Sequence, residues 1–270
     1  MKTRIISALF LLPLLGFVVI GGRPLYFLVM LFGLIAMYEF YKGFENMGIN
    51  PFKIAGYICA MILYIILYVY MFTGADHAKL SEGLLLWLFI TVSSGLVLCL
   101  FTKDENNISD GLATIVSVMY LPFFLSHISL IDGLQENSRM IWLVFITAFG
   151  TDTFAYFSGM FFGKHKLIPN ISPKKTIEGA IGGVIGSTVL SIIFCAIIFP
   201  QHLAAGFFIG VLGSIFAQFG DLIASAFKRK MGIKDYGRLI PGHGGILDRF
   251  DSVILTAPFV YYYIVLIVNR

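Results

Sequence analysis

The chain has 270 residues, of which 58% are hydrophobic and only 13% are charged. A water-soluble domain of this length needs a far more charged surface, so that class is excluded. Long apolar runs define instead an all-α, polytopic integral membrane protein.

Cys59, Cys99 and Cys195 lie inside apolar runs without paired spacing. They read as small packing residues, not as a disulfide framework or a zinc site. Apolar runs bounded by charges and turn residues predict about nine transmembrane helices. Their limits are near 5–21, 24–42, 53–73, 81–101, 108–131, 138–163, 175–200, 203–228 and 249–268. Met1-Lys2-Thr3-Arg4 before the first run resembles a signal peptide. No small-x-small cleavage site precedes Gly21-Gly22-Arg23, however, so the run is kept as a span.

Nine spans put the termini on opposite sides. The side of the N-terminus holds 15 of the 19 Lys and Arg residues; the other side keeps Arg23, Lys79, Arg139 and Arg270. Basic residues stay in the cytoplasm, so the N-terminus is expected inside and the C-terminus outside. The first four spans (residues 1–107) hold few charges and read as an accessory, lipid-facing part. Residues 108–270, spans five to nine, hold nearly all the polar chemistry and read as the catalytic part, with its site facing the cytosol.

In the second span Glu39 is the clear intramembrane acid, read as structural. The sixth span carries Asp152, Tyr156, Gly159 and Gly163 on one helical stripe. Asp152 falls about 16 Å in from the cytoplasmic end at the usual helix rise, and an acid there needs a partner, a metal or a proton.

The seventh span opens Ser172-Pro173-Lys174-Lys175-Thr176-Ile177-Glu178-Gly179. Ser172 as cap, with Pro173 at the first helical position, predicts a helix start there. Free N–H groups beside Lys174 and Lys175 suit a phosphate; the plainer alternative is an ordinary cap with topology-setting lysines. Glu178 pairs with a lysine or joins the site. Gly179, Gly182, Gly183 and Gly186 read as close helix packing.

The eighth span places Ser214, Gln218, Asp221, Ser225 and Lys228 on one stripe, spaced 4, 3, 4 and 3. Lipid offers such groups no hydrogen bonds, so the stripe faces protein or a wet cavity. Glue between helices is the bland reading; Asp221 and Lys228 favour a lined cavity. Arg229, Lys230, Lys234 and Asp235 follow, and then Pro241-Gly242-His243-Gly244-Gly245. That run cannot continue a helix, and its glycines let backbone N–H groups approach a ligand. His243 contacts phosphate or caps the loop.

In the ninth span Asp248 and Asp251 stand three apart, with Cβ atoms about 5–6 Å apart on one face. The helix dipole would explain one acid comfortably. Two, opposed by Asp221, suit Mg²⁺, which takes one or two carboxylates, keeps waters and meets substrate phosphates. The chain has no Cys or multi-His set for zinc.

The run from Ser225 to Asp251, through Lys228-Arg229, Lys234-Asp235, the glycine loop and Asp248-Arg249-x-Asp251, closely resembles the signature of the phosphatidate cytidylyltransferases, or CDP-diacylglycerol synthases. Ser172 to Gly179 and Asp152 to Gly163 look like further segments of that family. The likeness covers about the C-terminal half of the chain. It implies transfer of a cytidylyl group from CTP to phosphatidic acid in phospholipid biosynthesis, with Mg²⁺ as cofactor and a second metal ion allowed. The catalytic residues it implies are Asp221, Lys228, His243, Asp248, Arg249 and Asp251. Substrate-binding residues would be Ser172, Lys174, Lys175, Thr176, Glu178, Ser225, Arg229, Lys234, Asp235, Gly244 and Gly245. Metal ligands would be Asp221, Asp248 and Asp251, with Asp152 as a further candidate.

Expected partners are CTP, phosphatidic acid in the cytoplasmic leaflet and membrane lipids, with a homodimer allowed and no nucleic acid. The expected location is the plasma (inner) membrane. Two other readings use similar residues. An ion- or proton-coupled transporter would use Asp152 and Asp221 as a relay, with broken helices and access from both sides. Another CTP-using lipid enzyme, such as a polyprenol kinase, would share the charge logic.

Overall fold

The structure, a computed structural model, describes residues 15–74, 76–101, 107–239 and 244–269. Among these, eight helices are long and apolar enough to cross a membrane. They are α1 (Gly22–Glu45), α2 (Lys53–Thr73), α3 (His77–Cys99), α4 (Ile108–Asp132), α5 (Ile141–Phe162), α6 (Ile177–Ile198), α7 (Leu203–Lys230) and α8 (Leu247–Tyr263). These answer to the second through ninth expected spans. The first expected span lies mostly outside the described residues, and its described end, 15–20, is helical.

Backbone contacts divide the chain into two compact units. One runs to Gly133 and includes 230–248; the other comprises 134–229 and 249–270.

In the first unit α1 to α4 pack through small residues. Gly95 and Gly111 bring the backbones of α3 and α4 into contact, and Gly33 and Gly56 lie against the rings of Tyr64 and Tyr41. Lipid tails are as apolar as leucine, so helices associate by close packing and hydrogen bonds, which small residues permit. Trp87 is buried, stacks on Phe123 at 5.3 Å and donates its indole N–H to the Cys59 carbonyl at 2.8 Å. Pro122 interrupts α4, and the chain absorbs it in one π-helical turn, Met119–Phe123. Leu85, Leu86 and Phe89 of α3 point outward, as a lipid-facing surface requires.

The second unit is built on α5 and α6. Gly182, Gly183 and Gly186 of α6 face Ser158, Thr151 and Phe154 of α5, while Gly179 meets Gly159. Between these helices runs an antiparallel hairpin, β1 (Lys166–Ile168) and β2 (Ser172–Thr176), pairing Lys166 with Thr176 and Ile168 with Ser172.

The hairpin corrects the helix start expected at Ser172. Proline disfavours a helical conformation in the residue before it, so Ser172-Pro173 goes into an extended strand. The cap is Thr176, whose hydroxyl accepts the Gly179 N–H at 3.1 Å.

Candidate active site

The site is clearest in the second unit. Asp152, Tyr156, Gly159 and Met160 from α5, Lys174 to Thr176 from β2, Gly179 and Ala180 from α6, and Gln218 and Asp221 from α7 line a cavity of about 390 Å³, together with Ala155 and Leu167. Five of these residues, Asp152, Tyr156, Gly159, Gln218 and Asp221, stand on the stripes expected of the sixth and eighth spans. Helical spacing put Asp152, Tyr156 and Gly159 on one face, and Gln218 and Asp221 on another.

Lys175 Nζ lies 2.5 Å from Asp221 Oδ2, with both side chains about a quarter exposed (26% and 22%). Ser225, one turn further along α7, donates its hydroxyl to Asp221 Oδ1 at 3.2 Å. Gln218 donates its side-chain amide to the Ala180 carbonyl at 3.1 Å, tying α7 to α6. Ser252 donates its hydroxyl to Asp152 Oδ2 at 3.2 Å, and its backbone N–H to Asp251 Oδ1 at 2.8 Å.

The charges of Asp221, Asp152 and Lys228 act on Asp251; those of Asp221, Lys175 and Arg249 act on Asp152. Three carboxylates therefore answer three cations. Arg249 Nε is buried without a hydrogen-bond acceptor among the described residues.

Other expected residues are placed elsewhere. Glu178 pairs with His165 Nδ1 at 2.6 Å, and its carboxylate accepts the N–H groups of Lys164 and His165 at 3.0 and 3.2 Å. It thereby fastens the chain entering the hairpin to the first turn of α6. Arg229 donates its Nε–H to the Ile171 carbonyl at 3.2 Å, holding the hairpin turn. Ser172 is half-buried at the start of β2.

Lys234, Asp235, Gly244, Gly245 and Asp248 belong to the first unit. There Lys234 and Asp235 are exposed, while Asp248 is buried and accepts the N–H groups of Tyr236 and Gly245 at 2.7 and 3.0 Å. Pro241, Gly242 and His243 lie outside the described residues.

Sequence reading did not assign His165 or Ser252. The first sits 13 residues from its partner with no periodic spacing to reveal it. The second lies beside Asp251 in the quoted signature, so only its 100-residue separation from Asp152 hid it.

Among the described residues, no three His, Cys, Asp or Glu side chains form a ready metal cage. The donors present are hard oxygens: Asp221, Asp251 and Asp152 with the hydroxyls of Ser225 and Ser252. That chemistry fits Mg²⁺, which needs only one or two protein carboxylates, and it fits no soft-ligand metal.

A polytopic helical protein with a mixed-charge cavity of this kind is equipped to neutralise phosphates beside lipid. The chain belongs to the cytidylyltransferase family, whose model it matches over residues 2–267. It is 36% identical to a phosphatidate cytidylyltransferase of Staphylococcus haemolyticus over 261 residues, covering 96% of this chain and 95% of that protein. A Bacillus subtilis protein of the same name is 34% identical over 271 residues, covering 98% of each chain.

Proposed function

We propose that this chain transfers the cytidylyl group of CTP to phosphatidic acid, yielding CDP-diacylglycerol and pyrophosphate for phospholipid biosynthesis. The observation that carries this reading is the family match across nearly the whole chain, residues 2–267. The cavity supports it with chemistry: lysines and carboxylates share one 390 Å³ space.

In this reaction an oxygen of the lipid phosphate forms a bond to the α-phosphorus of CTP. The bond from that phosphorus to the oxygen bridging to the β-phosphate breaks, and pyrophosphate leaves with the electron pair. The nucleophile is already anionic near neutral pH, so no Ser/His/Asp triad is needed. The barrier lies in bringing two anions together and stabilising the leaving group.

Lys174 and Lys175 are assigned to phosphate charge, with Lys228 and Arg249 supplying positive potential beside Asp251 and Asp152. Lys175 already contacts Asp221, so that carboxylate orients it. Ser225 and Ser252 fix the acids' rotamers by hydrogen bonds. Asp221 and Asp251 are the carboxylates proposed to meet Mg²⁺, with Asp152 as a further oxygen donor. When bound, the ion screens the triphosphate and the departing pyrophosphate.

The proposed orientation has the N-terminus and the site facing the cytosol, where CTP is available, in the plasma membrane. The test is direct. Purified protein is incubated with radiolabelled CTP, phosphatidic acid and Mg²⁺, and the lipid extract is scored for CDP-diacylglycerol. A labelled liponucleotide supports the reading. Label reaching lipid only from the γ-phosphate would mark a kinase instead, and no lipid labelling would overturn the proposal.

A further inference from the structure

Glu39 is an acid that the reaction above does not use. It sits on α1, is buried at 4% exposure and, among the described residues, makes no ion pair. Acids within a membrane span are costly unless something answers their charge. Here the answer is backbone: Oε1 accepts the Ile246 N–H at 3.1 Å, and Oε2 accepts the Leu247 N–H at 2.9 Å. Leu247 is the first residue of α8. The opening N–H groups of a helix have no acceptor within it, and a carboxylate placed there satisfies both the hydrogen bonds and the dipole. Glu39 therefore caps α8 from a helix more than 200 residues away in sequence.

The surrounding loop is shaped for that contact. A Cβ at Gly237 or Gly245 would displace the Glu39 carboxylate, so glycine at both positions leaves the acid its place. Gly244 adopts φ +86°, a conformation that side chains other than glycine's rarely accept. Asp248 closes the same loop from the other side through the N–H groups of Tyr236 and Gly245. The Tyr236 ring lies 5.9 Å from that of Phe40, and Met231 packs over Gly43, so neighbours of Glu39 on α1 hold the loop as well.

We infer that Glu39 is a positioning residue for the transfer reaction: its carboxylate fixes the backbone at Ile246 and Leu247, where α8 begins, without touching substrate. The inference rests on the proposed cytidylyl transfer and on α8, the helix that carries Asp251, being part of its machinery. Glutamine has the shape of glutamate but presents an NH₂ to one of the two N–H donors. Glu39→Gln therefore keeps at most one bond and opposes the other. Glu39→Asp keeps two acceptor oxygens on a shorter arm.

The experiment uses the full chain with Cys59, Cys99 and Cys195 replaced, carrying either Leu239→Cys in the exposed part of the loop or Ser81→Cys on exposed α3 as a remote control. Glu39→Gln is expected to lower kcat about tenfold or more while the chain stays folded with a lowered melting temperature. Thiol labelling at position 239 should accelerate about threefold or more, while labelling at 81 stays unchanged. Glu39→Asp should recover part of both effects.

Parent-like kcat and labelling in Glu39→Gln would overturn the inference. So would faster labelling at both positions together, which marks general loosening. If Glu39→Gln does not fold, Glu39→Asp carries the comparison, and its matching the parent in both readouts also overturns it. Absence of transfer in the parent would defeat the proposed function, yet the labelling comparison would still test the anchor.

Discussion

Lys175 and Asp221 meet at 2.5 Å, joining the strand that precedes α6 to the polar stripe of α7. The contact sets a cation proposed to hold phosphate against an acid proposed to meet a metal ion. Around it, α5, β1, β2, α6 and α7 each contribute lining residues to the cavity.

Lys175→Ala and Lys228→Ala should each weaken transfer by about 1.5–3 kcal/mol in kcat/KM, the range for losing a hydrogen bond to a charged group. Lys230, exposed at the end of α7, serves as the control, and Lys230→Ala should stay close to the parent. Steady-state kinetics with varied CTP decide it. Equal losses at 228 and 230 would show that the stripe carries no special role.

Asp221→Asn and Asp251→Asn should each insert and fold but lose most activity, with added Mg²⁺ partly rescuing the milder. Asparagine keeps the shape and removes the charge, so activity measured against Mg²⁺ concentration separates charge from packing. Asp248→Asn should instead loosen the backbone at Tyr236 and Gly245, because its carboxylate accepts both N–H groups. Parent-like turnover and Mg²⁺ dependence in both Asp221→Asn and Asp251→Asn would remove the metal assignment.

Gly220→Val should reduce activity through backbone geometry alone. A Cβ at this position of α7 would press on the Asp251 carbonyl in α8. Forcing the helices apart is expected to destabilise by about 1–3 kcal/mol and to displace Asp251. Thermal unfolding and turnover should fall together; a variant with parent-like values of both would contradict the contact.

Lys234 should react with a membrane-impermeant thiol reagent only from the cytosolic side after replacement by cysteine, and Lys79 only from the outer side. The motive is the 15-to-4 split of Lys and Arg between the two sides. Labelling of position 234 in intact cells would reverse the orientation and remove CTP access from the cytosol.

Much of this protein follows from local sequence. Runs of about twenty apolar residues can only be helices in a bilayer, so the spans and the polar stripes at Asp152 and Asp221 could be read directly. The family signature likewise lies in contiguous stretches. The hairpin was missed because Ser172-Pro173 satisfies both a helix start and an extended strand, and only pairing with Lys166–Ile168 selects the strand.

Which charges answer which was decided by tertiary structure alone. Helical periodicity assigns a residue to a face but not to a partner on another helix. Lys175 with Asp221, Glu178 with His165, Ser252 with Asp152 and Glu39 with the start of α8 are separated by 13 to 208 residues. An acid in an apolar span must find a cation or N–H donors, because lipid supplies none. Sequence establishes that need, and the packing of helices through glycine determines which group meets it.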